Sequence, residues 1–420
     1  MSVLPDTAVV EAGRLSVGGV ALSELARRHG TPLHVYDEAT LRERARAYRE
    51  ALATYSGSAR AVYACKANAT VGLLRVLLGE GMGMDVASEG ELAHALAASA
   101  APERLVIHGN NKSDADVHAA VAAGAGLIVI DHLDELGQVE RIAAEADRVQ
   151  AVLLRVTPGI AADTHAKIQT GHAASKFGMA PAEIGAALER AAGLPHLRVD
   201  GLHVHLGSQI RDLATYLHAV DWLAGFEPAR RLPVLDLGGG LAIRYTDDED
   251  VPDLRAAVAA TAAAVAGRFD PLPELVLEPG RSVVGTCGVT LYTVGAVKET
   301  AAGVTYVAVD GGMSDNPRPV LYGARYQAWI TDRADAEPDA VYAVAGKHCE
   351  SGDVLIERAP LPAPRPGDVL AVAATGAYSA SMASNYNGLP RPAAVLVADG
   401  EATVIVRRET LDDLLAAQIG

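Results

Sequence analysis

One lysine stands where a buried strand is predicted to end. Lys66 follows the small and apolar run Ala61-Val-Tyr-Ala-Cys65, and a helical pattern over residues 71–79 comes after it. This pattern favours a strand, a turn and a helix. Burying a charged amine is unfavourable unless it is neutralised or hydrogen-bonded. Lys66 is therefore either a side chain whose ammonium reaches water or an amine used as a nucleophile, such as a Schiff-base lysine.

Polar residues also stand at the predicted ends of seven further apolar runs. In chain order they are Asp85, His108, Asp131, Arg155, His205, the run Gly238-Gly-Gly240 and Glu278. Packing can explain one polar strand end, but it does not explain a ring of them. Because barrel enzymes carry their chemistry at the carboxyl ends of the strands, the ring predicts an active site.

Glycines in the late part of this ring suggest an anion cradle. Gly238-Gly239-Gly240 follows the seventh run, Gly280-Arg281 follows the eighth, and Ser208 could add a hydroxyl. Glycine lets backbone N–H groups approach an anion closely, and barrel loops after strands seven and eight often bind phosphate. A flexible turn would explain the glycine run taken alone.

A phosphate cradle combined with a nucleophilic lysine predicts pyridoxal phosphate as the cofactor. Such a site needs a carboxylate at the pyridine nitrogen, which keeps the ring protonated so that it accepts electrons. Glu278 and Asp85 are the acidic candidates, and His205 could stack on the ring. The alternatives are a strand-end salt bridge and a structural histidine.

The elements that must position these residues alternate in type. Short apolar runs predict strands at 59–64, 82–86, 104–108, 127–131, 152–156, 202–206, 234–237 and 275–278, with alanine-rich helical runs between them. Eight such repeats predict an α/β fold with a (β/α)8 TIM-type barrel. A doubly wound sheet is the alternative, but no G-x-G-x-x-G motif follows the first strand.

The pattern changes after residue 280. Short β-rich runs begin at Val283, Gly288, Val304, Val369 and Ala394, separated by Gly and Pro, and they predict a mainly β C-terminal domain. We therefore divide the chain into an N-terminal segment (1–32) packing with the β domain, a barrel (33–280) and the β domain (281–420). Two loops, 157–180 and 376–392, are long enough to be functional.

Composition limits the class of protein. The 420 residues carry 52 acidic and 36 basic side chains, a net charge of −16, which argues against nucleic-acid or membrane partners. Local basic residues could still bind a small anion in a pocket. The three cysteines form no CxxC pair, so no metal site of that type is expected. No uninterrupted apolar stretch is long enough to span a membrane, and the first residues lack the basic and apolar regions of a signal peptide. We therefore expect a soluble cytoplasmic protein.

Eight motifs in order carry a family resemblance from about residue 30 to residue 400. They are Tyr63-Ala-Cys-Lys-Ala-Asn68, Ser175-Lys-Phe-Gly178, His203-Val-His-Leu-Gly-Ser-Gln209, Asp236-Leu-Gly-Gly-Gly240, Glu278-Pro-Gly-Arg281, Arg318-Pro-Val-Leu-Tyr322, Cys349-Glu-Ser-Gly-Asp353 and Gly376-Ala-Tyr378. Together they resemble the diaminopimelate decarboxylases, which have the alanine-racemase-like fold of a barrel plus a β domain. The resemblance implies that the chain decarboxylates meso-2,6-diaminopimelate at its D-centre to L-lysine, the last step of lysine biosynthesis.

The resemblance also implies a role for each matched residue. Lys66 is similar to the Schiff-base lysine, His205 to the ring-stacking histidine, Glu278 to the carboxylate at the pyridine nitrogen, and Cys349 to the cysteine near the reacting carbon. The phosphate contacts implied are Ser208, Gly238, Gly239, Gly240, Gly280 and Tyr378, with Arg281 also beside the cofactor. The substrate contacts implied are Arg281, Arg318, Tyr322, Glu350 and Tyr378. Because the family takes its cysteine from the neighbouring subunit, a homodimer with shared sites is implied.

Other functions remain open on the sequence. The same fold and cofactor could serve ornithine, arginine, D-lysine or carboxynorspermidine as substrate. A racemase would need a tyrosine base facing Lys66, and the Cys349 motif argues against it. A homologue without catalysis would not need both Lys66 and Cys349. A metal-dependent hydrolase could be built on His108, Asp131, His205 and Asp85, but it would have no use for Lys66 and the glycine cradle.

Overall fold

The computed structural model describes residues 3–159 and 175–419. Residues 160–174 of the predicted long loop lie outside this description. The chain forms two compact units. One, the barrel unit, comprises residues 44–242 and 250–282; the other, the β unit, comprises residues 1–43, 243–249 and 283–420. Across the described ranges, every helix is too short or too polar to cross a membrane.

The barrel unit contains a closed barrel of parallel strands. In chain order the strands are Ala59–Ala64, Gly83–Val86, Leu105–Ile107, Leu127–Ile130, Gln150–Arg155, Leu197–His203, Val234–Asp236 and Glu274–Leu277. The last strand pairs with the first, Leu275 with Ala59, and closes the barrel. This confirms the predicted TIM-type barrel, and the interior is filled by apolar side chains such as Val62, Val129 and Leu153.

Helices alternate with the barrel strands. They are Val71–Gly79, Glu89–Ala97, Asp114–Ala123, Leu133–Glu145, Pro181–Ala192, Ala214–Gly225, Glu227–Arg231 and Leu254–Ala266, and Glu38–Leu52 leads into the unit. Several begin at an N-cap residue whose side chain accepts a hydrogen bond from a backbone N–H of the first turn. Ser88 accepts from Glu91, Ser113 from Asp116 and Asp253 from Ala256. Each such cap stabilises a helix by about 1 kcal/mol and fixes where the preceding loop ends.

The β unit contains two sheets. A three-stranded sheet consists of Val9–Glu11, Arg14–Val17 and Val20–Ala21. A nine-stranded sheet runs in the order Val354–Leu361, Ala340–Ala345, Thr305–Val309, Gly288–Glu299, Leu33–Asp37, Ala393–Ala398 and Glu401–Val406, with Ala328–Ile330 and Val369–Val372 off this path. Its helices are Leu22–His29, Arg318–Tyr322 and Leu411–Leu415, and Arg281–Val284 spans the boundary with the barrel unit. Val3, Leu15 and Leu25 of the N-terminal segment pack in one core with Val35, Leu291 and Val395.

Three details differ from the sequence-based division. The predicted barrel domain began at residue 33, but Leu33–Asp37 is a buried strand of the nine-stranded sheet, between Gly288–Glu299 and Ala393–Ala398. Burial on both faces removed the alternation that marks a sheet strand. Residues 243–249 also belong to the β unit, because Ile243 and Tyr245 pack in its core. The run at Val283, predicted as β, is the end of the helix Arg281–Val284.

Candidate active site

Lys66 lies on the single 3-10 turn Cys65–Ala67 that follows the first barrel strand. Its neighbours Cys65 and Ala67 are buried, whereas Lys66 itself is exposed. The turn therefore fixes the backbone in the core and presents the amine at the carboxyl end of the barrel. The charge of Lys66 lowers the pKa of both Asp85 and His205. Burial nevertheless raises the pKa of Asp85 to about 6, against the opposing charges of His108 and Lys66.

Glu278 lies at the end of the eighth strand between two histidines. His108 Nε2 lies 2.6 Å from Glu278 Oε1, and His203 Nε2 lies 3.2 Å from Glu278 Oε2. The three side chains come from the ends of the third, sixth and eighth strands, and Glu278 is buried. Strands far apart in sequence thus converge on one carboxylate.

The electrostatics of this cluster keep Glu278 ionised. Burial alone would raise the pKa of its carboxyl, but His108 and His203 hold the pKa well below its ordinary value. Burial lowers the pKa of His203 to about 3, so that its imidazole is neutral. Burial and the nearby Glu278 charge raise the pKa of Asp236 well above its ordinary value. Of this neighbouring pair of carboxyl groups, Glu278 therefore carries the negative charge and Asp236 does not.

His205 is held by the glycine run. The Gly239 N–H donates to His205 Nδ1 over 3.2 Å, and a Cβ on Gly238 would lie 2.7 Å from the same nitrogen. Gly238 has a φ of 63°, a conformation that favours glycine. The Tyr216 hydroxyl donates to the Gly239 carbonyl over 3.1 Å. Burial, followed by the charges of Lys66 and Arg155, lowers the pKa of His205 well below its ordinary value, so the imidazole is neutral.

Three loops join beside the glycine run. The Arg281 guanidinium donates to Ser208 Oγ over 2.9 Å, which links the loops after strands eight and six. The Ile210 N–H donates to the Gly240 carbonyl over 2.9 Å, which links the loops after strands six and seven. A Cβ on Gly280 would lie 3.0 Å from the Cβ of Ala67, so this glycine sits against the turn that carries Lys66.

These residues fit pyridoxal phosphate. Backbone N–H groups without Cβ atoms, the Ser208 hydroxyl and the Arg281 guanidinium are donors suited to a phosphate. An amine, an imidazole and a buried carboxylate stand in the same barrel end for the rest of the cofactor. The barrel unit thus collects Lys66, Asp85, His205, Ser208, Gly239, Gly240, Glu278, Gly280 and Arg281, all of which the sequence proposed as cofactor contacts.

His203 had no predicted role, and His108 had one only in the alternative of a metal-dependent hydrolase. A signal for His203 was present, because His203 and His205 are two positions apart and side chains two apart on a strand share a face. No local signal pairs His108 with Glu278, since 170 residues separate them. Arg155 and Asp131, also predicted strand-end residues, form a buried pair with 3.4 Å between Nη1 and Oδ1.

In the β unit, Arg318 is buried in an aromatic setting. Its guanidinium carbon lies 4.3 Å from the ring centroid of Tyr245, and its Nη1 donates to the Tyr326 hydroxyl over 2.5 Å. Burial would lower the pKa of Arg318, but Tyr245, Tyr326 and more weakly Tyr378 raise it above its ordinary value. Tyr322, half-buried, lies one turn after Arg318 on the same short helix.

Cys349 and Glu350 lie on an exposed turn of the β unit that is anchored from both sides. His348 Nδ1 lies 2.8 Å from Asp353 Oδ2, and the His348 ring stacks on Tyr386 at 5.6 Å. The Cys349 N–H donates to Asn387 Oδ1 over 2.9 Å. Cys349 is an exposed free thiol, and Glu350 Oε1 accepts the Gly352 N–H over 3.2 Å. The turn therefore presents a thiol and a carboxylate side by side.

Tyr378 occupies a strained backbone position. Its φ of 61° is in the left-handed region, which residues with a Cβ seldom adopt. Gly376, two residues earlier, packs so closely that a Cβ there would lie 1.8 Å from the Val284 carbonyl oxygen. Gly376 is thus packed tightly against the end of the helix Arg281–Val284, two residues before the half-buried Tyr378.

Comparison with known proteins identifies relatives over nearly the whole chain. The family model described as "pyridoxal-dependent decarboxylase, pyridoxal binding domain" matches residues 38–285. A diaminopimelate decarboxylase of Actinosynnema pretiosum is 46% identical over 98% of this chain and 94% of its own length. One from Synechocystis is 42% identical over 99% of this chain and 92% of its own length.

Solved structures agree with this similarity. The crystal structure of the diaminopimelate decarboxylase of M. jannaschii in complex with L-lysine superposes with a TM-score of 0.91 at 33% identity, covering 99% of this chain and 98% of that chain. The Helicobacter pylori enzyme complexed with L-lysine gives a TM-score of 0.87 at 31% identity, covering 94% and 98%. The fold is therefore shared over nearly the whole chain.

Proposed function

The chain belongs to the diaminopimelate decarboxylase family of pyridoxal-dependent decarboxylases, and on that premise we propose that it converts meso-2,6-diaminopimelate to L-lysine and CO2. The observation that carries the proposal is the barrel end, where Lys66 shares one site with the buried Glu278 carboxylate and the glycine cradle. The step would be the last of lysine biosynthesis. We place it in the cytoplasm, because all three cysteines are free thiols.

Pyridoxal 5'-phosphate, when bound, supplies a protonated ring that accepts the electron pair left by departing CO2. We assign Lys66 as the amine that holds it and Glu278 as the partner of its ring nitrogen. His205, whose Nδ1 is occupied by the Gly239 N–H, offers a neutral ring face for stacking. For the phosphate we assign Ser208, Gly238, Gly239, Gly240, Gly280, Arg281 and Tyr378, and Asp85 is assigned a place beside the cofactor.

Two groups can return a proton to the α-carbon. The charge of the Lys66 amine acts on Asp85, and the pKa of Asp85, about 6, allows that carboxyl to exchange protons near neutral pH. The Cys349 thiol is exposed and mounted on an anchored turn. We assign Cys349 as the proton donor and Lys66 as the amine that holds the cofactor.

The substrate carries two carboxylates and two amines, and the assigned contacts match that charge pattern. Arg281 and Arg318 suit carboxylates because guanidinium groups bind them with two parallel hydrogen bonds. Tyr322 and Tyr378 would add hydroxyl donors, and the exposed Glu350 would receive the distal amine. Arg318 is held flat by its aromatic neighbours, so its orientation does not depend on substrate.

We further propose a homodimer in which each site borrows Cys349 from the partner subunit. Mixing Lys66→Ala and Cys349→Ala proteins would then form heterodimers with one intact site, and some CO2 release should return. Absence of any recovery, once subunit exchange is demonstrated with tagged chains, would refute the shared site.

The test of the function is CO2 release from a panel of amino acids by the purified holoprotein. We expect release from meso-diaminopimelate with L-lysine as product, and none from ornithine, arginine or D-lysine. Lys66→Ala is the control for background. Release from ornithine without release from meso-diaminopimelate would overturn the substrate assignment while leaving a pyridoxal-dependent decarboxylase.

A further inference from the structure

Each oxygen of the Glu278 carboxylate has an imidazole as a hydrogen-bond partner. His108 Nε2 contacts Oε1 at 2.6 Å and His203 Nε2 contacts Oε2 at 3.2 Å. The rings of the two histidines also contact each other edge to face, with centroids 4.8 Å apart. The side chains of His203 and Glu278 are 1% and 3% exposed, so water contributes little to holding this carboxylate.

The tautomer of His203 follows from its surroundings. His203 Nδ1 is buried without a hydrogen-bond partner among the described residues, while Nε2 faces Glu278. A neutral ring must carry its proton on one nitrogen, and only Nε2–H has an acceptor here. His203 therefore donates to Glu278 as a neutral imidazole, without adding a second charge to the site.

His108 stands between two carboxylates. Its Nε2 lies 2.6 Å from Glu278 Oε1 and 3.9 Å from Asp85 Oδ1. The shorter contact assigns its Nε2–H to Glu278. Asp236 and Arg155 complete the charged groups around Glu278: a protonated Asp236 adds no charge, and Arg155 is paired with Asp131.

We propose that His108 and His203 are positioning residues that hold Glu278 as an anion, aimed at the ring nitrogen of the cofactor. The inference rests on the proposed function, since it assumes that Glu278 meets that nitrogen. Two fixed donors lower the basicity of the carboxylate. The proton that Glu278 and the ring nitrogen share then stays on the nitrogen, which is the form that accepts electrons.

The experiment follows the ring nitrogen itself. Holoprotein is prepared with pyridoxal 5'-phosphate labelled with ¹⁵N in the ring, and the nitrogen chemical shift is measured at several pH values. We expect the wild-type shift to be that of a protonated pyridine. His108→Leu should move it toward the unprotonated value, and kcat should fall about 10- to 100-fold with KM nearly unchanged.

Three variants make the result specific. His108→Gln keeps an N–H donor near the Nε2 position and should restore the wild-type shift. His203→Leu, which removes the second donor, should act in the same direction as His108→Leu but more weakly. His196→Leu is the matched control, because His196 Nδ1 bonds Glu140 Oε1 at 2.9 Å at the opposite end of the sixth strand, and its removal should leave the shift unchanged.

Glu278→Gln separates this inference from the proposed function. If it shifts the nitrogen signal and His108→Leu does not, the histidines do not govern Glu278 and the inference is wrong, while the cofactor assignment stands. If Glu278→Gln leaves the nitrogen signal unchanged, Glu278 does not meet the ring nitrogen. The positioning role of the histidines and the assignment of Glu278 to that nitrogen are then both wrong. A shift in His108→Leu that His108→Gln does not reverse would also count against a donor role.

Discussion

The barrel unit and the β unit present their candidate residues in different ways. In the barrel, Lys66, His203 and Glu278 stand at strand ends, so the parallel register of the sheet fixes their spacing. In the β unit, Arg318 is on a five-residue helix and Cys349 on an exposed turn. The barrel thus positions residues through its backbone geometry, whereas the β unit does so through individual side-chain anchors such as Asp353 and Asn387.

The two units also handle charge differently. The barrel buries complete ion pairs, as in Lys112, whose Nζ lies 2.5 Å from Glu135 Oε1 and donates to the carbonyls of Gly109 and Val129. The β unit instead surrounds Arg318 with aromatic rings. We therefore expect loss of the buried Lys112–Glu135 pair to act first on stability, and a change at Arg318 to act first on substrate affinity. The predictions below test this contrast in order of expected size.

Lys112→Met should give the largest loss of stability. It leaves the Glu135 carboxylate buried and unpaired, and breaking such a pair costs about 3–5 kcal/mol in the free energy of unfolding. Denaturant titration of the barrel transition measures it. The double variant Lys112→Met/Glu135→Leu should recover much of the loss, and equal stability of the single and double variants would contradict the account.

His34 should make the β unit sensitive to acid. Burial lowers the pKa of His34 from 6.5 to about 4. Between these two pH values the unfolded chain binds a proton at His34, whereas the folded chain does not. Stability is complete above pH 6.5 and falls by about 3 kcal/mol as the pH drops toward 4. His34→Leu should flatten this part of the stability curve, measured by denaturation from pH 7 to 4.

The substitution leaves its partner satisfied, because Thr290 Oγ1 also contacts Thr375 Oγ1 at 2.8 Å. A curve for His34→Leu that falls as steeply as the wild type would show that other groups dominate in this range.

Arg318→Lys should separate substrate binding from cofactor binding. A lysine keeps the charge but loses the planar stacking on Tyr245 and the fork geometry, so about 1.5–3 kcal/mol of binding is lost. We expect KM for meso-diaminopimelate to rise about 10- to 100-fold with an unchanged cofactor absorbance spectrum. Loss of the cofactor in this variant would contradict the proposal that Arg318 binds the substrate and not the cofactor.

Asn387→Gly should have the smallest effect. It removes the acceptor of the Cys349 N–H but tolerates the backbone φ of 55° at this position. We expect kcat to fall about tenfold, equal to about 1.4 kcal/mol. Asn387→Ala adds roughly 1–2 kcal/mol of backbone strain, so its extra loss of stability isolates that contribution. Identical stability of the two variants would show that strain plays no part.

The barrel was predictable from sequence because its strands are short apolar runs ended by polar residues. The sequence could therefore place Lys66, Asp85, Glu278 and the glycine run at strand ends, where the structure has them. The partnership of Glu278 with His108 was not predictable, since it depends on barrel closure across 170 residues. The strand Leu33–Asp37 was missed for a related reason: its neighbours in the sheet are Gly288–Glu299 and Ala393–Ala398, both remote in sequence.

The β-unit residues were identified only by resemblance. Composition and periodicity mark neither the short helix Arg318–Tyr322 nor the turn of Cys349, because each is fixed by tertiary contacts. The aromatic neighbours of Arg318 are Tyr245 and Tyr326. The sequence did not reveal this setting, because Tyr245 belongs to residues 243–249, a segment within the barrel part of the chain that packs in the β unit.

The identity of the reacting lysine is the central claim, and chemical trapping tests it directly. Holoprotein reduced with borohydride and digested should yield a pyridoxyl group on the peptide that contains Lys66. Lys112 is the internal comparison, because it is buried in its pair with Glu135 and has no role in the proposed chemistry. A single label on Lys66, absent in Lys66→Ala, is the predicted result; a label on Lys112, or none at all on a yellow holoprotein, would contradict the account.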